Sequence, residues 1–196
     1  MDKSTALRRS WYAVSTRSRQ ENVAASMLAV LGIRYFHPLI TEVHRWSDRK
    51  KVVSRPLFPC YLFVRIARSC ETQLRVLKVP GIVNFVGSAH GPTAIREEEI
   101  ESVRAVLSSG IACVPHSFLE AGDRVRIVRG VLAGIEGTFI RSGPDSKLVI
   151  SIEMIQRSMA INIDGCDIEH IAPGRSSYVS PAQTTFSTAG GPLSIR

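Results

Sequence analysis

With 196 residues, 44% of them hydrophobic, the chain can bury one ordinary core or two small ones, which excludes a fully disordered or fibrous protein. No run reaches the roughly 18 to 20 apolar residues that a membrane span needs, and Trp11 is reached without the apolar core of a secretory signal, so a cytoplasmic protein with no membrane partner is expected. The net charge of +8 is unevenly spread: residues 1–108 hold 17 Lys+Arg against 9 Asp+Glu, and residues 109–196 hold 8 against 8. A basic first half joined to a neutral second half suggests that the first meets a polyanion and the second meets something else.

In chain order, Ser10 to Ser15 reads as a strand, and Ser18-Arg19-Gln20-Glu21 has the S-x-x-E form of a capping box at a helix start. Val23, Met27, Val30 and Leu31 then repeat at helical spacing, and Gly32 suits the left-handed residue that ends a helix. Ile33 to His37 and Ile40 to Trp46 read as strands around Pro38, and the basic stretch His44 to Arg55 as a hairpin loop. Tyr61 to Ile66 is a longer strand whose alternation puts Tyr61 and Phe63 on one face and Leu62 and Val64 on the other. Glu71 to Leu77 reads as a short helix with Leu74 and Leu77 inward, Ile82 to Val86 as a strand, and Glu97 to Leu107 as a second strong helix. Glu97, Glu98 and Glu99 oppose the positive end of that helix's dipole, and Ile100, Val103 and Leu107 form its buried stripe.

The helical period stops near residues 109–117, where Gly110 and Pro115 enter, and a linker is expected there. Asp123 to Arg129, Gly137 to Arg141, Lys147 to Met154 and Ser158 to Ile163 read as short strands between turns, enough for a small barrel whose closure removes exposed edges. Residues 173–196 are rich in Ser, Thr, Gly and Pro and are expected to be a disordered tail. The boundaries are therefore 8–108 for the first domain, 109–117 for the linker and 118–172 for the barrel. The fold class is an α+β domain, an antiparallel sheet flanked by helices, followed by an all-β SH3-like barrel.

Trp11-Tyr12-Ala13-Val14, Leu57-Phe58-Pro59-Cys60-Tyr61-Leu62-Phe63-Val64, and Val79-Pro80-Gly81 through Phe85-Val86-Gly87 resemble, in order and spacing, the N-terminal (NGN) domain of the NusG family of transcription factors. Gly122-Asp123-Arg124-Val125 and Gly130 to Gly137 are similar to its KOW motif, so the resemblance spans roughly residues 10–171. The Leu57 to Val64 segment is closer to specialised paralogues, the RfaH, UpxY and LoaP antiterminators, than to the housekeeping factor.

The resemblance implies a factor that binds RNA polymerase and modulates pausing and termination, with no cofactor. It implies that a hydrophobic concavity of the first domain docks on the clamp helices of the largest polymerase subunit, with Trp11, Tyr12, Phe58, Pro59, Tyr61 and Phe63 the candidates by position. Thr72, in Glu71-Thr72-Gln73, falls where RfaH contacts the polymerase gate loop. Arg17 and Arg19 are candidates for the non-template DNA strand. By their charge, Arg45, Arg49, Lys50 and Lys51, in the basic stretch, are candidates for contact with upstream duplex DNA or the polymerase, and on duplex each neutralised phosphate releases counterions. The second domain is implied to recruit a further partner, Rho or a small-subunit ribosomal protein, and the factor is expected to act as a monomer.

The glycines Gly130, Gly134 and Gly137 of the KOW motif are read as architectural, at turns that need positive φ. The four cysteines, Cys60, Cys70, Cys113 and Cys166, show no Cys-x-x-Cys pair and no histidines at ligand spacing, so reduced thiols and no metal are expected. No P-loop, dinucleotide fingerprint, His-Glu-x-x-His or triad spacing is present, and an enzyme is not expected. The alternative is a KOW-containing RNA-binding or ribosome-associated protein.

Overall fold

The structure, a computed structural model, describes residues 9–45, 50–88, 90–117, 122–142, 145–163 and 168–171. It is mixed α+β, with three α-helices and antiparallel sheets among the described residues.

The first region runs β1 (Arg9–Thr16), α1 (Glu21–Val30), β2 (Arg34–Phe36), β3 (Leu39–Arg45), β4 (Lys50–Pro56), β5 (Tyr61–Ala67), α2 (Cys70–Leu77), β6 (Ile82–Phe85), β7 (Gly87–Ser88), β8 (Gly91–Pro92), β9 (Ala94–Ile95) and α3 (Glu97–Ser109). Its main sheet has the order β2-β5-β1-β6, with β9 also pairing to β1, while β3 and β4 form a separate two-stranded ribbon. Trp11, Tyr12, Ala13 and Val14 are all buried, as are Leu62, Phe63 and Val64. A strand apolar on successive residues has both faces covered, and the two cores show it. Trp11, Ala13 and Phe63 pack with Ile100, Val103 and Val106 of α3. Tyr12, Val14, Leu62 and Val64 pack with Ala24, Ala25 and Leu28 of α1 and Val76 of α2.

The expected alternation of Tyr61 and Phe63 against Leu62 and Val64 is therefore observed, and Ile100 and Val103 are buried as expected, with Leu107 partly so. Three local expectations are corrected. Helix α1 starts at Glu21 with Gln20 as N-cap and no side-chain capping bond, because Gln20 N–H donates to Arg17 C=O in a turn that places Arg19 at φ 62. That turn takes Ser18 out of capping position, and Glu21 is used elsewhere. The buried face of α1 is Ala24, Ala25 and Leu28, so the stripe Val23, Met27, Val30 and Leu31 faces outward, Val30 at 81% exposure. In α2 the buried residue is Val76, and Leu74 and Leu77 are exposed; Ser69 caps this helix, accepting a hydrogen bond from Thr72 N–H at 3.2 Å.

Of the basic stretch, His44 and Arg45 and Lys50 to Arg55 are strand where a loop was expected, and residues 46–49 lie outside the described residues. Lys50 to Pro56 pairs back on β3 in the register Arg45↔Lys50, His44↔Lys51 and Val43↔Val52, through to Leu39↔Pro56. The β-branched Val52-Val53 inside the cationic run favours this extended form.

The second region runs β10 (Cys113–Ser117), β11 (Asp123–Ile127), β12 (Glu136–Ser142), β13 (Asp145–Ile152), a 3-10 turn (Glu153–Ile155), β14 (Arg157–Asn162) and β15 (Ile168–His170). These six strands form one antiparallel sheet of order β10-β14-β13-β12-β11-β15. Strands β10 and β15 were not expected from sequence. Most of the expected linker is β10, which pairs along its whole length with β14, leaving 110–112 as the connection. Strands β10 and β15 are the outer strands, with no pairing between them among the described residues, so the expected closure is not seen there. The expected tail lies outside the described residues.

Gly130 and Gly134 both have φ 89 in the β11–β12 turn, as the sequence led one to expect. Gly137 differs. Its φ is not positive, and a Cβ there would lie 2.6 Å from the carbonyl oxygen of Val149, so its role is close approach of β12 to β13.

Helix α3 joins the regions. It lies against β13, and the Glu99 carboxylate accepts hydrogen bonds from Glu153 N–H at 3.2 Å and from Arg96 Nε at 2.7 Å, while Arg96 also reaches Glu153 at 3.5 Å. Burial pushes the Glu99 carboxyl above its ordinary value, against the Arg96 hydrogen bond and charge that pull it down.

Candidate functional site

The C-terminal end of β1 gathers residues from four separate stretches. Thr16 N–H donates to Cys60 C=O at 2.8 Å and Arg17 N–H to Gly81 C=O at 2.8 Å, so the turn after β1 is clamped between the Phe58–Cys60 turn and the start of β6. Glu21, buried at the first position of α1, accepts from Cys60 N–H at 2.9 Å and anchors the helix to the same turn. Gly81, at φ 90, lets this junction close, since a Cβ there would meet Gln20 Cβ at 2.9 Å. The outcome is a rigid base from which Arg17 and Arg19 project as exposed cations, beside exposed Pro59 and half-buried Tyr61.

Two polar atoms at this end are buried without a hydrogen-bond partner, Thr16 Oγ1 and His37 Nε2. Burial pushes the His37 imidazole below its ordinary value, while the Glu21 charge pulls it partly back.

Of the residues expected at a polymerase interface, Trp11, Tyr12, Phe58 and Phe63 are core in this structure and offer almost no accessible surface. Phe58 and Phe63 meet edge to face at 6.2 Å, and Tyr12 meets Phe85 the same way at 6.3 Å. Phe58 therefore shapes the turn that presents Pro59. Thr72 lies at the other end of the sheet, in the first turn of α2, its hydroxyl 2.8 Å from Ser69 Oγ. Of the basic hairpin, Arg45, Lys50 and Lys51 fall on the paired ribbon, and Arg49 lies outside the described residues. The structure thus brings the chain at Arg17 and Arg19 to the turn that carries Pro59 and leads into Tyr61, and places Thr72 at the opposite end of the sheet.

Sequence reasoning missed the polar setting of Trp11. Its indole N–H donates to Glu97 Oε1 at 3.1 Å, Glu97 also pairs with Arg65 at 3.0 Å, and the guanidiniums of Arg34 and Arg104 lie 5.8 and 5.6 Å from its ring centroid. Arg104 also sits 4.9 Å from the Phe36 ring. Glu97 was legible only as a helix-start residue, because no local pattern reports the cross-strand register that brings these groups together. Cys60, Cys70 and Cys113 are free thiols, and burial pushes the Cys113 thiol up; among the described residues no His/Cys/Asp/Glu group could hold a metal ion.

The fold and this surface define a two-region protein whose basic half carries a rigid cationic and apolar rim. Residues 9–104 match the family model described as "Transcription termination factor nusG". The chain is 31% identical to the transcription termination/antitermination protein NusG of Chlamydia pneumoniae over 85% of its own length and 98% of the relative's. It is 28% identical to that of Thermus thermophilus over 79% and 94%, respectively. A solved structure on domain interaction in Thermotoga maritima NusG aligns with 80% of this chain and 94% of that one, at 20% identity and a TM-score of 0.47. The chain belongs to the NusG family of transcription termination and antitermination factors. No helix among the described residues is long and apolar enough to cross a membrane.

Proposed function

We propose that this chain is an elongation and antitermination factor of the specialised-paralogue kind, which binds RNA polymerase through its first domain and recruits a second partner through a KOW-type domain. The observation that carries this is the convergence of Arg17, Arg19, Pro59 and Tyr61 on one rigid end of the sheet, an apolar contact for the clamp helices beside cations for the displaced DNA strand. The buried aromatics Trp11, Phe58 and Phe63 hold that surface in shape. Domain limits of 8–108 and 118–172 follow from the same reading, with β10 added to the second domain and the hairpin cations Arg45, Lys50 and Lys51 directed to upstream duplex. Such a factor acts by preferring the elongating form of the polymerase over paused forms, and its effect is limited to that difference in affinity. Its second domain raises the local concentration of Rho or of a small-subunit ribosomal protein near the transcript.

The test is an in vitro pause assay on several leader templates, with and without Rho, using the full chain. Shortened pauses that return to the factor-free level with Pro59→Asp/Tyr61→Asp are expected; unchanged pausing and no retention on polymerase would remove the proposal. For the DNA contact, Arg17→Ala/Arg19→Ala should lower the slope of log affinity against log salt by about 1.4, since each single-strand phosphate contributes about 0.7. An unchanged slope would exclude the two arginines.

A further inference from the structure

At the opposite end of β1 from Arg17 lies a cleft of about 590 Å³, lined by Arg9, Arg34, Arg65 and Arg96 together with Trp11 and the helix-start residues Glu97 and Glu98. Eight strand residues separate the two ends, a distance of about 26 Å at roughly 3.3 Å per residue, so this is a second cationic place and not an extension of the first.

Its arginines are aligned by the sheet. In register, Arg34 of β2 faces Arg65 of β5, Arg65 faces Trp11 of β1, and Trp11 faces Ile95 of β9. Residues directly opposite in a sheet share a face, and Trp11 and Ile95 belong to the core on the α3 side, so Arg34 and Arg65 project to that side as well. Arg9, two residues before Trp11, is on the same face.

Two like charges directly opposite one another destabilise a sheet. Arg65 is held by Glu97, and Arg96 by Glu99 and Glu153. Arg34 is steadied over the Trp11 ring, and neither Arg34 nor Arg9 is paired with a carboxylate among the described residues, so although Arg65 and Arg96 are offset by their carboxylates, two guanidiniums stand against Glu98 on the cleft's rim. One guanidinium atom, Arg65 Nε, is buried without a partner. A row of guanidiniums fixed by ring and carboxylate contacts, retained against mutual repulsion, has the fork geometry that suits an oxyanion with several oxygens.

We infer that this cleft binds a phosphate group, carried either by a single-stranded nucleic-acid backbone or by a free nucleotide, with Arg9 and Arg34 supplying the unneutralised charge and Glu97 positioning Arg65. Trp11 is buried and takes no part in base stacking, so recognition is of the phosphate and carries no base preference.

The full chain is titrated, at low salt, into a fluorescein-labelled oligothymidylate and separately into a labelled ATP analogue, with anisotropy as the readout. Arg9→Ala/Arg34→Ala should weaken binding of one of the two ligands about tenfold, as the removal of a charge-assisted hydrogen bond to phosphate would. Arg34→Lys, which keeps the charge, should recover part of it. An Arg17→Ala/Arg19→Ala background separates this cleft from the other end of the sheet. Weakening confined to the oligonucleotide identifies the backbone as the source, and weakening confined to the ATP analogue identifies a nucleotide. Unchanged affinity for both ligands in a folded double variant overturns the inference, and if the same variant is defective in transcription the cleft serves an acidic protein surface instead. Arg9→Glu, at an exposed residue at the strand end, is the second variant should the double variant unfold.

Discussion

Strands β5 and β11 both cross the middle of a sheet, yet they are buried in opposite ways. In β5 three successive residues, Leu62, Phe63 and Val64, are buried, because α1 and α2 cover one face and α3 the other. In β11 burial alternates, Val125 and Ile127 in and Arg126 out, the outer residues forming ion pairs such as Arg126 with Glu136. A sheet with two covered faces has little surface of its own and must place function at its ends and margins. That is where both cationic places of the first region lie. The second sheet is open on one face beside β11 but not throughout, since Leu148 to Ile150 of β13 and Ser158 to Ile161 of β14 are buried on successive residues; beside β11 the exposed charge is balanced internally, Glu136 being held below its ordinary value mainly by the Arg126 hydrogen bond.

The largest effect expected from this contrast comes from neighbouring substitutions. Phe63→Ala should cost about 3–5 kcal/mol and Leu62→Ala about 2–5 kcal/mol in urea unfolding, because each opens a cavity in a different core. Arg124→Ala, beside Val125 in β11, should stay within about 0.5 kcal/mol as a surface change. If Leu62→Ala were as mild as Arg124→Ala, the first sheet would not be covered on both faces.

The glycines sharpen the same contrast within the second region. Gly137→Ala drives a Cβ against the Val149 carbonyl across a paired strand, which neither backbone can yield to, and should cost about 1–3 kcal/mol as overpacking. Gly130→Ala meets open space and costs only the left-handed conformation, about 1 kcal/mol. Thermal melts of the two variants should rank in that order.

Glu99 and His37 titrate with opposite sign, one at the junction of the regions and one at the far end of the first. The Glu99 carboxyl is raised by burial, so the stability linked to it is present below its unfolded value and lost as pH rises through the folded one. Glu99→Gln should flatten stability against pH in that window while keeping an acceptor for Glu153 N–H. Glu99→Ala should cost about 1 kcal/mol or more by stranding that donor. The His37 imidazole is lowered by burial, so its contribution is present above the unfolded value and lost as pH falls toward the folded one. His37→Gln should remove that acid-side loss. A profile unchanged by either substitution would mean that these groups are solvated.

The strands of the first sheet were legible in Trp11 to Val14 and Leu62 to Val64, but not that both of their faces are covered, since alternation alone left one set of side chains free for a docking surface. The faces of α1 were not legible. ENVAASMLAV and the Leu31 after it carry two apolar stripes, and the bulkier one, Val23, Met27, Val30 and Leu31, lost to Ala24, Ala25 and Leu28, of which the two small alanines let the helix approach the sheet once Glu21 is tied to Cys60. In β4 the basic residues masked a strand, since charge says which side meets water and nothing about backbone pairing. At the candidate site, Arg17 and Arg19 stood out as cations at the start of the first helix. The Arg9, Arg34, Arg65 and Arg96 cleft depends on the pairing of three strands far apart in sequence, and no local period encodes that.

The smallest effect expected is a gain. Cys60 holds φ 66 between Pro59 and Tyr61, a conformation that L residues with a Cβ adopt at a cost, because its N–H is committed to Glu21 and its C=O to Thr16. Cys60→Gly relieves that strain but gives the unfolded chain more freedom, so the net stabilisation should be only about 0.5 kcal/mol. Cys60→Asn, which tolerates the same region with a side chain, should gain a similar amount. If both variants instead lost stability, the Cys60 side chain would be contributing packing that outweighs its backbone strain, and the turn that presents Pro59 beside Arg17 would owe its shape to that side chain as well as to the two hydrogen bonds.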